Sequence, residues 1–472
     1  MGLLLTMYDV LIIGAGMSGL AAGVRLAQFG LHVCILERHT TVGGLNSFYR
    51  LAGRNYDVGL HAVTNFQPKG ARQGPLPRVL RQLRLSWDDF DWAPQRKSAV
   101  AFPGIRLQFS NDGELLDAEV ARAFPAQADG FRRLVAALLP YDGLDQPAAR
   151  QSARAVLSEF ISDPLLVEML LCPLLYYGSA SEHDMDFAQA SVMFRSIFLE
   201  GLARPAGGVR VILKMLVRRY KELGGELRLR AGVKRIVAAG NEAHHVELDD
   251  GNELSARSIL SSAGWCETMR LCDGGPPPIE HTAAGELSFV ESVAVLDRQP
   301  RELDDPCAIL FFNDSERFCW EKPGEQLVDV RSGVVCSPNN YVYGQGKGPA
   351  EGVMRMTALA NFDRWRALGP DDYQRQKVAA REAIYASAVR FVPDFRPHIV
   401  ASDTFTPTTI IHFTGHDNGA VYGAPRKRHD GTTHLRNLFI CGNDQGWVGI
   451  VGTMMSGIVM ANRHCLREAT AR

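Results

Sequence analysis

The chain has 472 residues, of which 46% are hydrophobic and 22% are charged, as in an ordinary globular protein long enough for two domains. Its net charge of −1 excludes nucleic acid as an electrostatic partner. The nine cysteines form neither a C-x-x-C pair nor a cluster with histidine, so we expect no metal site, no disulfide framework and a reducing, cytoplasmic location. No stretch approaches the length of a transmembrane helix, so any membrane contact would be peripheral.

The first stretch of the chain predicts a dinucleotide-binding unit. An apolar run, Val10–Ile13, is typical of a strand buried on both faces of a parallel sheet, and a turn with G-x-G-x-x-G spacing follows it. Gly14 permits the tight turn, Gly16 lets the backbone approach a diphosphate, and Gly19 lets the next helix pack on the strand. A second strand ends in Glu37, where this fingerprint has the acceptor for a ribose hydroxyl, so the ligand is FAD or NAD(H) rather than NADP.

The segment after the acid extends this unit. Arg38 follows directly, and Gly43 and Gly44 form a second turn that lets the backbone approach a ligand, although the pair alone also fits a surface loop. The order of dinucleotide fold, acid, basic residue and Gly-Gly loop resembles the large FAD-dependent family that includes amine oxidases, phytoene desaturases and protoporphyrinogen oxidase. The resemblance implies that Arg38 and the backbone of Gly43, Gly44 and Leu45 contact the flavin cofactor.

Two further motifs suggest candidate catalytic residues. Residues 57–61 read D-x-G-x-H, which resembles the carotenoid isomerase and retinol saturase branch of that family. His61 is therefore predicted to lie beside the flavin ring and to shuttle a proton, with a purely structural histidine as the alternative. A T-P-x-T…G-x-x-Y-G pattern further on resembles the same group together with the desaturases, and it makes Tyr422 a second candidate.

The region between the first motifs and residue 205 predicts mostly helices. Apolar periodicity indicates helices over Asp117–Leu139 and Ala148–Leu175. The part from Phe160 to Tyr177 is rich in Leu, Met and Tyr, which fits packed core helices. The alternative, which the family resemblance supports, is the wall of an apolar tunnel or a membrane-dipping lid for a long lipid.

The chain then returns to the nucleotide-binding unit. A helix over Val209–Leu223 is followed by strands, a hairpin turn and the sequence SSAG, an order that resembles the return of the family's chain into its FAD domain. In that family the residue that matches Val233 presents its backbone to the adenine.

The C-terminal segment predicts a second glycine-rich unit. The strand Asn437–Cys441, a glycine-rich turn and a helix over Thr453–Leu466 would aim the helix dipole at the flavin pyrimidine. The motif G-N-D…G-I-V-G-x-x-x-S-G resembles the isomerase and saturase branch, in which the acid matching Asp444 binds the ribityl or pyrophosphate region. The complete set of predicted cofactor-binding residues is Gly14, Ala15, Gly16, Met17, Ser18, Gly19, Glu37, Arg38, Gly43, Gly44, Leu45, Val233, Gly442, Asn443, Asp444, Gly449, Ile450 and Val451.

The sequence thus predicts an α/β protein with two interleaved domains. A Rossmann-like FAD-binding domain comprises residues 1–67, 205–280 and 426–472, and an α+β substrate-binding domain comprises residues 68–204 and 281–425.

The resemblance implies an FAD-dependent oxidoreductase of the carotenoid desaturase type, which moves hydride from a C–H bond of a long apolar polyene or isoprenoid to flavin N5. Alternatives are a carotenoid cis–trans isomerase or retinol-type saturase, a flavin amine oxidase, and a non-enzymatic prenyl-chain escort of the GDP-dissociation-inhibitor kind. An apolar substrate also suggests peripheral contact with the inner face of the membrane, whereas the sequence does not identify the electron acceptor.

Overall fold

The structure is a computed structural model that describes residues 7–59, 61–141, 150–274 and 284–466. The strands are β1 (Met7–Ile13), β2 (Val33–Glu37), β3 (Phe48–Leu51), β4 (Arg54–Asp57), β5 (Trp92–Pro94), β6 (Ser98–Phe102), β7 (Ile105–Phe109), β8 (Ala203–Pro205), β9 (Glu226–Leu229), β10 (Val233–Ala239), β11 (Glu242–Leu248), β12 (Glu253–Ser261), β13 (Ser288–Leu296), β14 (Ile309–Asn313), β15 (Val328–Cys336), β16 (Gly352–Ala360), β17 (Ile399–Phe405) and β18 (Leu438–Ile440). The helices are α1 (Met17–Ala27), α2 (Pro75–Leu83), α3 (Gly113–Ala123), α4 (Ala128–Leu138), α5 (Ala153–Phe160), α6 (Pro164–Gly178), α7 (Phe187–Phe194), α8 (Val209–Glu222), α9 (Trp265–Leu271), α10 (Phe362–Arg366), α11 (Pro370–Ala388), α12 (Pro407–Thr414) and α13 (Gly449–Met460).

The first sheet is the predicted nucleotide-binding sheet. Its strand order is β10-β11-β12-β1-β2-β9, with β18 paired to β12. Strand β1 runs parallel to both β12 and β2, and Ile12 pairs with Leu260 on one side and Ile35 on the other. Leu11 and Ile12 are both fully buried, as the continuous apolar run predicted.

Small residues let three helices pack together on one face of this sheet. Helix α1 contacts both α8 and α13. A Cβ added at Gly457 of α13 would lie 2.1 Å from the carbonyl oxygen of Ser18 in α1, so the two backbones are in direct contact. A Cβ added at Gly23 would lie 2.7 Å from the side chain of Ile35 in β2. These close approaches hold α1, and with it the glycine-rich turn, firmly on the sheet.

The second sheet has the order β17-β13-β16-β15-β14-β6-β7 and is antiparallel except where β14 runs beside β6. Strand β13 is buried at every position, since helices α5–α7 contribute to the core on one side of the sheet and α11 packs on the other. The division of the chain into two domains at the predicted boundaries remains a proposal.

Several predicted helices differ in extent from those in the structure. The single helix expected over Asp117–Leu139 is wrong: the chain breaks near Pro125, which cannot continue an α-helix, and forms α3 and α4. The helix expected over Ala148–Leu175 is also divided, because α5 ends at Phe160 and α6 starts at Pro164; residues 148–149 lie outside the described ranges. The C-terminal helix begins at Gly449, four residues earlier than predicted, and continues from Met460 as a wider helical turn over Ala461–Leu466.

Among these described helices, none combines the length and the apolar character that crossing a membrane requires.

Candidate active site

A cavity of about 1380 Å³ lies where the two sheets face each other. Pockets for drug-sized ligands measure roughly 300–1,000 Å³, so this cavity is larger than an ordinary pocket for one small ligand. Its wall includes the carboxyl ends of β1, β2, β12 and β18, the edge at which open parallel sheets bind ligands. Other parts of the wall come from the second sheet and from helices that include α6 and α12.

The glycine-rich turn forms one end of this cavity. Gly14 has φ +94°, a conformation that favours glycine, and Gly16 begins helix α1 without a side-chain cap. A Cβ added at Gly16 would meet nothing within 4 Å, whereas one added at Gly19 would lie 2.1 Å from the carbonyl oxygen of Gly14. Gly16 thus leaves open space for a diphosphate beside the free N–H groups of a helix N-terminus, and Gly19 is required by packing.

Glu37 connects this turn to the end of β2. Its buried carboxylate accepts hydrogen bonds from the backbone N–H groups of Ala15 and His39, each at 2.9 Å. Glu37 and Arg38 both line the cavity. The remaining lone pairs of the carboxylate can therefore accept hydrogen bonds, and the contact with ribose hydroxyls remains a prediction.

The second glycine turn lies directly against the first. The N–H of Gly43 donates to the carbonyl oxygen of Ala15 at 2.9 Å, and Gly43 has φ +117°. Gly44 and Leu45 line the same cavity, and so does Val233 at the start of β10. The two glycine turns and β10 therefore present backbone atoms to one continuous space.

The C-terminal turn closes the ring around that space. The carboxylate of Asp444 is buried and accepts from the backbone N–H of Trp265 at 2.6 Å and of Ala424 at 2.7 Å. Asn443 donates to the carbonyl oxygen of Val421 at 2.9 Å. Both residues line the cavity, so they join three chain segments at its wall, and a direct contact from Asp444 to a cofactor remains a prediction.

Most of the predicted cofactor-binding residues lie on the wall. Those that line the cavity are Gly14, Gly16, Met17, Ser18, Glu37, Arg38, Gly43, Gly44, Leu45, Val233, Gly442, Asn443, Asp444, Gly449 and Ile450. The structure places Ala15, Gly19 and Val451 behind that wall, because Ala15 binds Glu37, Gly19 packs on the turn and Val451 is fully buried in the helical core.

The residues on this part of the wall fit an FAD. The bare Cα of Gly16, two helix N-termini without side-chain caps at α1 and α13, and the Glu37 carboxylate supply the contacts that a dinucleotide needs.

His61 lies on the far part of the cavity wall, within a cluster of polar side chains. Its Nε2 is 3.2 Å from Oε2 of Glu291 and 3.3 Å from Oγ1 of Thr357, and its Nδ1 is 3.5 Å from the hydroxyl of Tyr177. Arg355 donates from Nε to Oε1 of Glu291 at 2.7 Å. His61 therefore faces the cavity beside an ion pair, which Glu291 forms with Arg355.

Sequence reasoning missed the partners of His61. Glu291 and Arg355 lie on β13 and β16, which pair across a long stretch of intervening chain, and Tyr177 lies on α6. One local signal existed, because Glu291 interrupts an apolar strand that is buried throughout. A charged residue in such a strand requires a partner.

The charge on Glu291 follows from its neighbours. Burial alone raises the pKa of this carboxyl group, but Arg355 and His61 outweigh burial and lower it to about 2. Glu291 is therefore ionised at neutral pH, and its two oxygens act only as acceptors. Burial raises the pKa of Tyr177 well above its usual value, so its hydroxyl stays protonated.

The aspartate of the D-x-G-x-H motif holds the segment that carries His61. Asp57 accepts from Nη2 of Arg204 at 2.6 Å and from Nη1 of Arg210 at 3.2 Å, and it is not part of the cavity wall. Nη1 of Arg204 lies 3.4 Å from the carbonyl oxygen of His61. Asp57 thus acts through Arg204 on the position of His61.

Tyr422 lies on the cavity wall as well, but its hydroxyl donates to the carbonyl oxygen of Tyr176. Burial raises the pKa of Tyr422. Because its hydroxyl proton already bonds to a backbone acceptor, Tyr422 is less suited to proton transfer than His61. Nζ of Lys427 donates to the backbone oxygen of Tyr422 at 2.5 Å and fixes this loop.

Known proteins resemble this chain over almost its whole length. The chloroplastic prolycopene isomerase of Arabidopsis thaliana is 23% identical and the alignment covers 97% of this chain and 82% of the relative. The lycopene-forming phytoene desaturase of Pseudescherichia vulneris is 22% identical, with coverage of 97% and 99%. The all-trans-retinol 13,14-reductase of Danio rerio is 23% identical, with coverage of 98% and 87%.

Solved structures share the fold. An oxidoreductase from Methanosarcina mazei has a TM-score of 0.68 at 15% identity, and the match covers 96% of this chain and 99% of that one. A triple mutant of putrescine oxidase, redesigned at its cofactor-binding site, has a TM-score of 0.67 at 17% identity, with 99% coverage of each chain. Residues 17–463 match the family model for flavin-containing amine oxidoreductases. The chain therefore belongs to the flavin-containing amine oxidoreductase family and is an FAD-dependent oxidoreductase.

Proposed function

We propose that this flavoenzyme desaturates a long apolar polyene or isoprenoid of the carotenoid type. The observation that carries the proposal is the continuity of the cavity, which leads from the glycine turns to a wall of aromatic side chains without a break. That wall is formed by Tyr176, Tyr177, Phe289 and Tyr422. A flat, apolar chain can lie against these rings, and relatives that act on carotenoids match this chain over its length.

FAD, when bound, supplies a hydride acceptor for the reaction. The chain's own residues have three tasks. The aromatic wall, which comes from α6, β13 and the loop at Tyr422, orients the polyene and excludes water. His61 takes the proton that must leave the neighbouring carbon when a double bond forms.

The polar cluster favours a reaction with net redox change over a redox-neutral isomerisation. Removing or adding two hydrogens requires both a hydride and a proton, and His61 with Glu291 provides a place for that proton. A saturase would use the same residues in the opposite direction, so it remains the second candidate. Rotation about a double bond needs no such group.

An amine oxidase and a prenyl-chain escort both fit this site less well. A flavin amine oxidase would share the aromatic wall, and its substrate would need a site for a charged nitrogen. Glu291, the anion of the polar cluster, is already ion-paired with Arg355. The prenyl-chain escort is set aside, because the chain belongs to a family of FAD-dependent oxidoreductases.

The test is the mass of the product. Purified holoenzyme is incubated with phytoene and a quinone as electron acceptor. The products are then separated, and their masses are measured by mass spectrometry. Desaturation removes two hydrogens for each new double bond. A product of unchanged mass would assign the enzyme as an isomerase, and a heavier product formed after prior reduction would assign it as a saturase.

A variant of His61 tests the proposed proton acceptor. We expect His61→Ala to bind FAD normally and to lose at least about 100-fold in turnover, the usual contribution of a general base. His244→Ala removes an exposed histidine on β11 and is the matched control. Unchanged turnover in His61→Ala with retained FAD would exclude this role.

We also propose that the enzyme contacts the membrane surface peripherally to obtain an insoluble substrate. Leu51 and Phe413, two residues that line the cavity, are 46% and 55% exposed, so its rim presents apolar side chains to solvent. Flotation with liposomes measures the contact. A protein that stays wholly in the aqueous fraction would count against it.

A further inference from the structure

Four side chains form one row that ends at the cavity wall; Arg355 and Glu291 are buried, and His61 and Tyr177 are partly buried. Nε of Arg355 is 2.7 Å from Oε1 of Glu291, Oε2 of Glu291 is 3.2 Å from Nε2 of His61, and Nδ1 of His61 is 3.5 Å from the hydroxyl of Tyr177. The side chains of Arg355, Glu291 and His61 are 3%, 11% and 12% exposed. The row thus connects a buried cation on β16 to a hydroxyl that faces the cavity.

The row determines which nitrogen of His61 carries the proton. Glu291 is ionised, and Arg355 occupies its Oε1, so its Oε2 requires a donor. The Oγ1 of Thr357 can donate to the same Oε2, at 3.5 Å, and then accepts from Nε2 of His61. Both neighbours of Nε2 therefore act as acceptors. A neutral imidazole at this position therefore carries its N–H at Nε2, where it can donate to these acceptors. Its lone pair is then on Nδ1, the nitrogen that faces Tyr177.

The backbone of His61 is held as firmly as its ring. Its carbonyl oxygen accepts from the hydroxyl of Tyr341 at 3.2 Å and from the thiol of Cys336 at 3.5 Å. The ring and the main chain are thus fixed from different elements, so the orientation of Nδ1 is built into the fold.

We propose that Glu291 is a positioning residue and Tyr177 a catalytic residue of the same reaction, because Glu291 fixes the Nε2–H tautomer of His61 and Tyr177 passes the substrate's proton to Nδ1. This inference rests on the proposed desaturation. Sequence motifs identified neither residue.

The step is balanced in atoms and electrons. FAD, when bound, would supply the acceptor for a hydride from one substrate carbon, and the adjacent carbon loses a proton. The electron pair of the second C–H bond becomes the new double bond. The proton goes to the hydroxyl oxygen of Tyr177 as the tyrosine's own proton moves to Nδ1 of His61. The imidazolium that results is stabilised by the negative charge of Glu291.

The tautomer can be read directly by ¹⁵N NMR. We would label histidine in the oxidised holoenzyme, record spectra without substrate, and assign the His61 signals by their loss in His61→Gln. The wild-type protein is expected to show an N–H at Nε2 and a bare nitrogen at Nδ1. An N–H at Nδ1 in the wild-type protein would overturn the assignment.

Glu291→Gln sharpens the test because it should reverse the tautomer. The amide oxygen is expected to stay with Arg355, which turns the amide N–H group towards Nε2 of His61 and moves the imidazole proton to Nδ1. With no acceptor at Nδ1, kcat should fall at least about 100-fold while KM and the flavin spectrum stay within about threefold of wild type. Ser292→Ala, on the opposite face of β13, is the matched control for disturbance of the strand.

Tyr177→Phe separates the proton transfer by Tyr177 from the positioning of His61 by Glu291. It should keep the Nε2–H tautomer and lower kcat at least about 10-fold, since the proton must then reach Nδ1 without the hydroxyl. Wild-type kcat in Glu291→Gln or in Tyr177→Phe would overturn the inference. If Glu291→Gln fails to fold, the wild-type NMR spectrum still tests the tautomer of His61, and the kcat of Tyr177→Phe still tests the role of Tyr177. The tautomer of His61 is measured without substrate, so the spectra test the role of Glu291 independently of turnover. An enzyme that is inactive on polyenes would contradict the proposed function but would leave that spectroscopic test unaffected.

Discussion

The two glycines at the start of helix α1 should fail in different ways when each is replaced by alanine. A Cβ at Gly19 would lie 2.1 Å from the carbonyl oxygen of Gly14, against about 3.4 Å for an ordinary van der Waals contact. The obstacle is backbone, so α1 or the turn must move. Overpacking of this kind costs about 1–3 kcal/mol, and we expect Gly19→Ala to lie at the upper end.

Gly16→Ala should leave the apoprotein intact. Gly16 has φ −71°, which alanine adopts without strain, and its added methyl group meets no atom within 4 Å. The free energy of unfolding should therefore change by less than about 1 kcal/mol. The methyl group instead occupies the space into which the diphosphate must fit, so we expect FAD affinity to fall at least about 100-fold, or about 2.7 kcal/mol.

Two measurements separate these effects. Urea unfolding of each apoprotein, followed by tryptophan fluorescence, gives the change in stability, and quenching of flavin fluorescence gives the affinity for FAD. Wild-type FAD affinity in Gly16→Ala would refute the inference that the diphosphate lies against this residue. Wild-type stability in Gly19→Ala would refute the packing argument.

Three further substitutions test other parts of the site. Burial lowers the pKa of Lys427 to about 8, below the 10.5 of the unfolded chain, so the unfolded state binds more protons in this interval and stability rises with pH. Urea unfolding should show wild-type stability rising by about 2 kcal/mol more than that of Lys427→Met between pH 7 and pH 9.5. Asp57→Asn removes the charge that pairs with Arg204 and Arg210, and thermal unfolding of the holoenzyme should report a loss of about 3 kcal/mol, whereas an unchanged melting temperature would show that this ion pair contributes nothing. Glu37→Gln leaves one oxygen for two backbone donors, so we expect urea unfolding of the apoprotein to show a loss of about 1.5–3 kcal/mol in stability. We also expect weaker FAD binding, and a variant with wild-type stability and wild-type FAD affinity would show that Glu37 is not part of the cofactor site.

The nucleotide-binding half of the molecule could be predicted because its determinants are local. The turn from Gly14 to Gly19, the acid at Glu37 and the glycines after it lie within a short stretch, and each glycine has its own steric reason. The second glycine-rich unit, near Gly442, is local in the same way. Most of the cofactor-binding residues that the sequence predicted therefore line this part of the cavity.

The polar cluster could not be predicted because its members meet only through long-range pairing. Glu291 and Arg355 become neighbours when β13 pairs with β16 in an antiparallel register, and Tyr177 reaches them from a helix far earlier in the chain. Periodicity places a residue on a face of its own element, but it does not determine which strands pair. The break near Pro125, by contrast, could have been predicted from the residue itself.

The most direct test of the central claim is the absorbance spectrum of the flavin when oxidised holoenzyme meets phytoene under anaerobic conditions. We expect the oxidised flavin to bleach as the polyene gains a longer chromophore, because the hydride that leaves the substrate must reduce the cofactor. An unchanged oxidised flavin, with turnover only after prior reduction, would contradict desaturation and assign the cavity to an isomerase or a saturase.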